Sequence, residues 1–247
     1  MVEPSQSRAQ PLSVVIPVHN EAECIGTLIG EIERALPASG GEIIVVDDAS
    51  DDATPDTLER LRRDTAGRVR VLRHDRRYGQ SAALRTGITA ARYNLIATLD
   101  GDGQNDPADI PRLLSAYAAA AGGDVMVCGQ RRRRRDSWIK RFASRVANGV
   151  RSRLLGDGVP DTGCGLKVFP RDLFLRLPWF DHMHRFLPAL VLREGGRVEK
   201  VEVNHRPRAG GRTKYGIHNR LWAGIVDLLG VLWLQRRGKA TRSREME

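Results

Sequence analysis

Four short, nearly continuous apolar runs constrain the fold of this chain more than any other feature. They occupy residues 12–18, 42–46, 69–72 and 95–99, and each gives way abruptly to polar or acidic residues. Runs of this length without strict alternation read as strands covered on both faces. Helical spacing follows the first run, where Ile25, Leu28, Ile29 and Ile32 recur within residues 21–36. Further helices are predicted over residues 80–91 and from Pro107 to about residue 121, with a fifth strand at residues 125–128. The alternation predicts an α/β fold, a mostly parallel central sheet with helices on both faces. Such sheets bind ligands at the carboxyl ends of their strands. The sequence places acids there: Glu21, Asp47 with Asp48, and Asp100 with Asp102.

The last pair is the most informative. Residues two apart on an extended segment point the same way, so Asp100 and Asp102 can converge, while Gly101 and Gly103 leave room for a close approach. Two convergent carboxylates suit Mg²⁺ or Mn²⁺, whose remaining positions are filled by waters and substrate phosphates. Taken alone, the same residues also read as an acidic turn. For Asp47, Asp51 and Asp52 the expectation is structural, ending a strand and capping the helix after it.

Composition narrows the field. With 247 residues, 41% of them hydrophobic, the chain can bury a full core. A dinucleotide fold would need Gly-x-Gly-x-x-Gly after the first strand, yet residues 17–21 contain no glycine, and no Gly-Lys-Ser/Thr phosphate loop occurs. Cys24, Cys128 and Cys164 have neither zinc spacing nor disulfide density, which fits a reducing compartment. Residues 1–10 are polar, without the apolar segment of a secretory signal, so the expected location is cytoplasmic.

Charge is unevenly spread. Residues 1–130 carry 13 Lys+Arg against 19 Asp+Glu, whereas residues 131–247 carry 27 against 11. A basic second half calls for an anionic partner. Nucleic acid is not expected, because no recognition motif is present and aromatics make up 5% of the chain. Arg131 opens a run of five arginines and is a candidate for reaching donor or acceptor phosphates. Trp138, Phe142, Val146, Val150 and Leu154 then recur every four residues among Lys and Arg, a basic amphipathic helix able to lie on a membrane or to pack on the core. Residues 210–216 are glycine-rich and basic, the composition of a loop whose Arg212 and Lys214 could close over phosphate. Residues 221–234 are apolar apart from Asp227 and too short to cross a bilayer, which needs roughly 20 residues. They are expected to form an interfacial or partner-docking helix bounded by Trp222 and Trp233, ahead of a frayed basic tail. His182 and His184 lack a third ligand at metal-site spacing and are expected to be loop, acceptor-side or structural residues.

Five motifs in order resemble family 2 glycosyltransferases with a GT-A fold: residues 15–21 (Val-Ile-Pro-Val-His-Asn-Glu), 45–54, 100–104, 163–167 and 211–216. The last two are similar to the dolichol-phosphate mannosyltransferase-like branch, whose members load a sugar onto a polyprenyl phosphate. The resemblance spans residues 12–220 and implies a glycosyltransferase domain over 1–220, followed by the interfacial helix and tail over 221–247. It assigns Pro17, His19 and Glu21 to the nucleotide pocket, Asp48 to the base or ribose, and Asp100, Asp102 and Gln104 to the metal and sugar diphosphate. Asp161 would border the sugar and the acceptor phosphate. The implied partners are a nucleotide-sugar donor, a polyprenyl phosphate acceptor, the inner membrane surface and a small membrane protein. A phosphate acceptor needs positioning rather than a base, and one direct displacement would invert the anomeric carbon. The alternative is a sugar hydroxyl acceptor with Asp161 as base.

Overall fold

The computed structural model describes residues 10–37, 39–131, 149, 151–207 and 217–237, with side chains only from residue 224 in the last segment. The elements in chain order are β1 (Leu12–Val18), α1 (Ile25–Ala35), β2 (Gly41–Asp47), α2 (Thr54–Asp64), β3 (Val69–Arg73), α3 (Gln80–Ala90), β4 (Leu95–Thr98) and α4 (Ile110–Ala119). Then come β5 (Val125–Arg131), β6 (Lys167–Pro170), α5 (Arg171–Arg176), α6 (Leu187–Arg193), β7 (Arg197–Val203) and α7 (Ile217–Arg237). Single 3₁₀ turns at Pro107–Asp109 and Met183–Arg185 precede α4 and α6.

The strands form one sheet in the order β3-β2-β1-β4-β6-β5-β7. Pairing is parallel except where β6 runs antiparallel between β4 and β5. Both faces are covered, as the apolar runs require. On β1, Val14 and Ile16 enter one buried cluster with α1, α2 and α4, while Val15 enters the other with α3, α5 and α6. On β2 the same division separates Ile43 and Val45 from Ile44 and Val46. Each such side chain contributes roughly 1.5–3 kcal/mol by leaving water. Gly87 shows how closely α3 lies on the sheet: a Cβ there would fall 2.4 Å from Val15 Cγ1.

Several boundaries differ from the sequence expectation. The first helix begins at Ile25 rather than at residue 21, and β5 continues three residues to Arg131 by pairing with β7. α2 is not predicted by hydrophobic periodicity, because Leu58 and the partly buried Leu61 are the apolar side chains it packs on the core, among mostly polar and charged neighbours. Its start is nonetheless encoded locally, with Pro55 in the first turn and the Asp52 carboxylate accepting from Thr54 N at 2.9 Å. Cys24, Cys128 and Cys164 are free and buried. Most of the amphipathic segment at 138–154, the glycine-rich segment at 210–216 and the tail beyond Arg237 lie outside the described residues.

α7 packs through one side. Val231 is fully buried, Leu228, Leu232 and Leu234 lie against the same cluster, and Asp227 Oδ2 is 3.1 Å from His182 Nδ1. Its other side leaves Ile225, Val226, Leu229 and Trp233 exposed. Among the described residues, no helix is long and apolar enough to cross a membrane.

A buried acid ties the amino ends of the central strands together. Glu42 accepts from Ser13 Oγ (2.8 Å), Arg92 N (2.6 Å) and Arg70 Nη1 (2.7 Å). Burial alone would push its carboxyl up, but the hydrogen bonds from Arg92, Arg70 and Ser13 outweigh that and hold it below the ordinary range. Glu42→Ala should therefore cost about 3 kcal/mol in urea unfolding at pH 7. Because the folded-state pKa is depressed, this contribution is present above the unfolded pKa and fades as pH falls through the folded one. The gap between wild type and variant should accordingly narrow in acid, and a constant gap would show that the carboxylate charge is irrelevant.

Candidate active site

The acidic turn at the end of β4 is held from several directions. Asp100 N donates to Asn105 Oδ1 (3.2 Å) and Gln104 N to Asp102 Oδ1 (3.1 Å). Gly101 is required by proximity, since a Cβ would lie 2.6 Å from Val18 Cγ1 and 3.0 Å from the Pro17 carbonyl. On its outer side the turn is laced to the chain after β7. Arg206 N donates to the Gln104 carbonyl (3.0 Å), and the Arg206 guanidinium bridges Glu31 (2.7 Å) and Asp106 (2.5 Å).

The turn faces a cavity of about 420 Å³ whose walls include Pro17, His19, Glu21, Asp48, Asp100 and Asp102. Burial and the neighbouring Asp102 charge push the Asp100 carboxyl up to about 6, against the opposing pull of Lys167, Arg131 and a Gln80 hydrogen bond. That bond runs from Gln80 Nε2 to Asp100 Oδ1 at 2.7 Å. Two oxygen-donor side chains short of positive charge fit a hard divalent cation. Among the described residues, no set of three or more His, Cys, Asp or Glu could hold a metal without other ligands. Asp100 and Asp102 would thus share the ion with substrate oxygens or water.

Asp48 stands at the start of α3. Its Oδ1 accepts from Tyr78 N (2.9 Å) and bonds His74 Nδ1 (2.7 Å), and its Oδ2 accepts from Gly79 N (2.7 Å). Burial opposes the charge, but the His74, Tyr78 and Gly79 bonds prevail and keep the carboxyl below its usual range. The positive end of α3 attracts an anion as expected. The anion found there is the protein's own carboxylate. Gly79 permits this arrangement with φ +91°.

The segment before β6 forms a shelf against Asp100. A Cβ on Gly165 would fall 2.4 Å from both Cγ and Oδ2 of Asp100. The shelf cannot retreat, because Thr98 Oγ1 donates to the Gly165 carbonyl (2.7 Å) and buried Lys167 Nζ donates to the carbonyls of Thr162 (3.3 Å) and Cys164. At its other end Asp161 accepts two 2.6 Å bonds from Arg131, with both side chains largely buried.

The remaining wall comes from the turn between α5 and α6, which brings His184, Arg185 and Leu187 to the cavity. His184 Nδ1 is 2.7 Å from Ser81 Oγ, and His184 N donates to the same oxygen at 3.3 Å. Burial first, and then the charges of Arg185, Lys167 and His182, push the imidazole pKa down to about 3, so the ring is neutral.

Of the residues expected from sequence, Pro17, His19, Glu21, Asp48, Asp100 and Asp102 line the cavity. Arg131 and Asp161 stand behind it as a closed ion pair, and Gln104 contributes backbone contacts to the turn. Arg212 and Lys214 lie outside the described residues. Gln80, Ser81 and His184 line or brace the site although no sequence motif marks them, and Lys167, the last residue of the 163–167 motif, joins them with no role assigned from sequence.

Comparison with known proteins agrees with this architecture. Residues 13–177 match the Glycosyl transferase family 2 model. The chain is 35% identical over 245 residues to dodecaprenyl-phosphate galacturonate synthase of Rhizobium johnstonii, covering 95% of this chain and 72% of that protein. It is 35% identical over 210 residues to undecaprenyl-phosphate 4-deoxy-4-formamido-L-arabinose transferase of Edwardsiella ictaluri, covering 84% and 64%. The chain thus spans about two thirds of the length of such relatives. Glucosyl-3-phosphoglycerate synthase from Mycobacterium tuberculosis, solved with Mg²⁺ and UDP, shares the fold with TM-score 0.67 and 20% identity over 92% of this chain and 79% of that one. The same enzyme with Mn²⁺, UDP and glucosyl-3-phosphoglycerate gives 0.66, also at 20% identity, over 92% and 80%. The sheet with its acidic turn is a GT-A fold, and the chain belongs to glycosyl transferase family 2.

Proposed function

We propose that this glycosyltransferase moves a sugar from a nucleoside-diphosphate donor to a polyprenyl phosphate, with inversion, at the inner membrane surface. The observation that carries this reading is the convergence of Asp100 and Asp102 on a cavity that extends from Pro17 and Glu21 to Gly163 and Gly165. The acceptor class is supported by the two relatives named for polyprenyl-phosphate substrates.

Asp100 and Asp102 would hold Mg²⁺ or Mn²⁺, which when bound supplies positive charge to a departing diphosphate. Pro17, His19 and Glu21 form the nucleotide wall, and Asp48 sets the entry of α3 beside it. A phosphate monoester carries about −1.5 to −2 charge at pH 7 and needs no base to attack. The closed Arg131–Asp161 pair favours this acceptor over a sugar hydroxyl, because an aspartate held by two short guanidinium bonds is a poor proton acceptor. Arg212 and Lys214 are proposed to offset the charge of the two approaching anions. Peripheral membrane association, whether direct or through a small membrane protein, is supported by exposed Val226, Leu229 and Trp233 on α7, followed by exposed Arg236 and Arg237.

The test is a panel of radiolabelled UDP-galacturonic acid, UDP-glucose and GDP-mannose with undecaprenyl phosphate in vesicles. Label should enter the organic phase when Mg²⁺ or Mn²⁺ is present, in a product labile to mild acid. Label recovered in a water-soluble saccharide instead would move the assignment to the hydroxyl-acceptor reading.

A further inference from the structure

Ser81 and His184 together define a polar group whose role the metal turn and nucleotide wall leave open. Ser81 is the second residue of α3 and is 1% exposed. Its oxygen accepts the His184 backbone N–H, and among the described residues the acceptor available to its own hydroxyl hydrogen is His184 Nδ1. A neutral imidazole that accepts at Nδ1 carries its proton at Nε2. The hydroxyl therefore selects the Nε2–H tautomer. That N–H makes no hydrogen bond among the described residues and is not one of the sealed, unpartnered polar atoms. His184 is one of the residues that line the cavity.

The topology says which part of a donor would meet it. β1, which carries Pro17, and β2, which ends one residue before Asp48, flank β4 on one side, and β6 and β5 flank it on the other. His184 lies on the turn that packs against the start of α3, where Ser81 follows Gln80, the residue bonded to Asp100, and it feels the charge of Lys167 on β6. With the nucleotide on the β1–β2 side and the diphosphate at Asp100 and Asp102, the glycosyl group extends toward His184. We infer that His184 Nε2–H is a hydrogen-bond donor to an oxygen of the donor's glycosyl group, and that Ser81 is the positioning residue that fixes its tautomer. This inference rests on the nucleotide-sugar reading above. It adds a contact that distinguishes a sugar nucleotide from the bare nucleotide.

The test compares ligands that differ by the sugar. Calorimetric titration with Mn²⁺ would use UDP, then UDP-glucose, UDP-galactose and UDP-galacturonic acid, on wild type and on His184→Phe, His184→Gln and Ser81→Ala. Wild type should bind at least one sugar nucleotide more tightly than UDP. His184→Phe should weaken the tightest of these about tenfold while leaving UDP within about twofold, and His184→Gln, which keeps an N–H donor, should recover most of the loss. Ser81→Ala, a milder change, should weaken the sugar nucleotide about threefold and convert a single Nε2–H tautomer into a mixture in ¹⁵N-histidine NMR. Equal weakening of UDP and sugar nucleotide, or no weakening of either, overturns the inference, as does an unchanged tautomer in Ser81→Ala. Failure of wild type to bind UDP or any of these sugar nucleotides, and GDP or GDP-mannose in the same titration, overturns the donor reading itself.

Discussion

Asp100→Asn is expected to abolish turnover, with kcat/KM falling by about a thousandfold or more, while the metal-free protein becomes more stable. The two effects have one cause. Burial and Asp102 raise the Asp100 carboxyl from 3.8 to about 6, so its ionised form is unfavourable in the folded chain. A group with a raised folded-state pKa contributes stability below its unfolded pKa, and that contribution is lost as pH rises through the folded value. Metal-free wild type should thus lose stability between about pH 4 and pH 6, by an amount on the order of 3 kcal/mol. Asparagine has the same shape, still accepts from Gln80, and carries no charge to lose. Thermal unfolding in a chelator at pH 7 should therefore give a higher Tm for Asp100→Asn than for wild type, and at pH 4 the gap should close. Added Mn²⁺ with UDP should stabilise wild type and leave the variant unmoved. A variant no more stable than wild type at pH 7 would show that the carboxylate is not strained in the folded state.

Gly165→Ala is the second large effect expected. The added carbon would lie 2.4 Å from Asp100 Cγ, well inside contact distance, and both partners are pinned. The Gly165 carbonyl is held by Thr98, and the Asp100 backbone by Asn105. The carboxylate must turn away, and a displacement of about 1 Å in a charge-positioning group costs on the order of a hundredfold in rate. Overpacking adds roughly 1–3 kcal/mol of destabilisation. Gly163→Ala is the matched control, because its nearest contact would be Arg131 Nη2 at 3.5 Å, an ordinary van der Waals distance. Steady-state kinetics and Mn²⁺ titration should separate the two: Gly165→Ala loses metal affinity and kcat, and Gly163→Ala keeps both. Near-wild-type kinetics for Gly165→Ala would mean that the shelf does not set the Asp100 position.

Local periodicity carries most of the fold that is legible in the sequence. β1 is a buried apolar run bounded by polar residues, and its bounds in the structure are those expected. The acidic turn is legible because Asp100 and Asp102 sit two apart at the end of such a run. β6 is hidden because its first residue is Lys167, a charged side chain that reads as a break yet is buried with its ammonium capped by carbonyls. β7 is hidden because it is an edge strand whose Glu199, Lys200 and Glu202 face outward and give no buried run. The small residues around Cys164 signal a close approach, but the approaching group, Asp100, is contributed by another strand. The Ser81–His184 bond joins residues 103 apart, beyond the reach of any spacing argument. The bonds from Tyr78 N and Gly79 N to Asp48 at the start of α3 likewise join residues 30 and 31 apart, which no local pattern shows.

That occupancy has a consequence for how the enzyme meets its substrate. In many α/β nucleotide sites a helix dipole offers the incoming phosphates a permanent, metal-independent berth. Here the α3 berth is filled from within, by a carboxylate kept ionised by two backbone N–H groups and a histidine. The cavity wall that remains therefore sets the acids Asp48, Asp100 and Asp102 against the side chains of Arg77, Lys167 and Arg185, and the helix terminus is not among its positive groups.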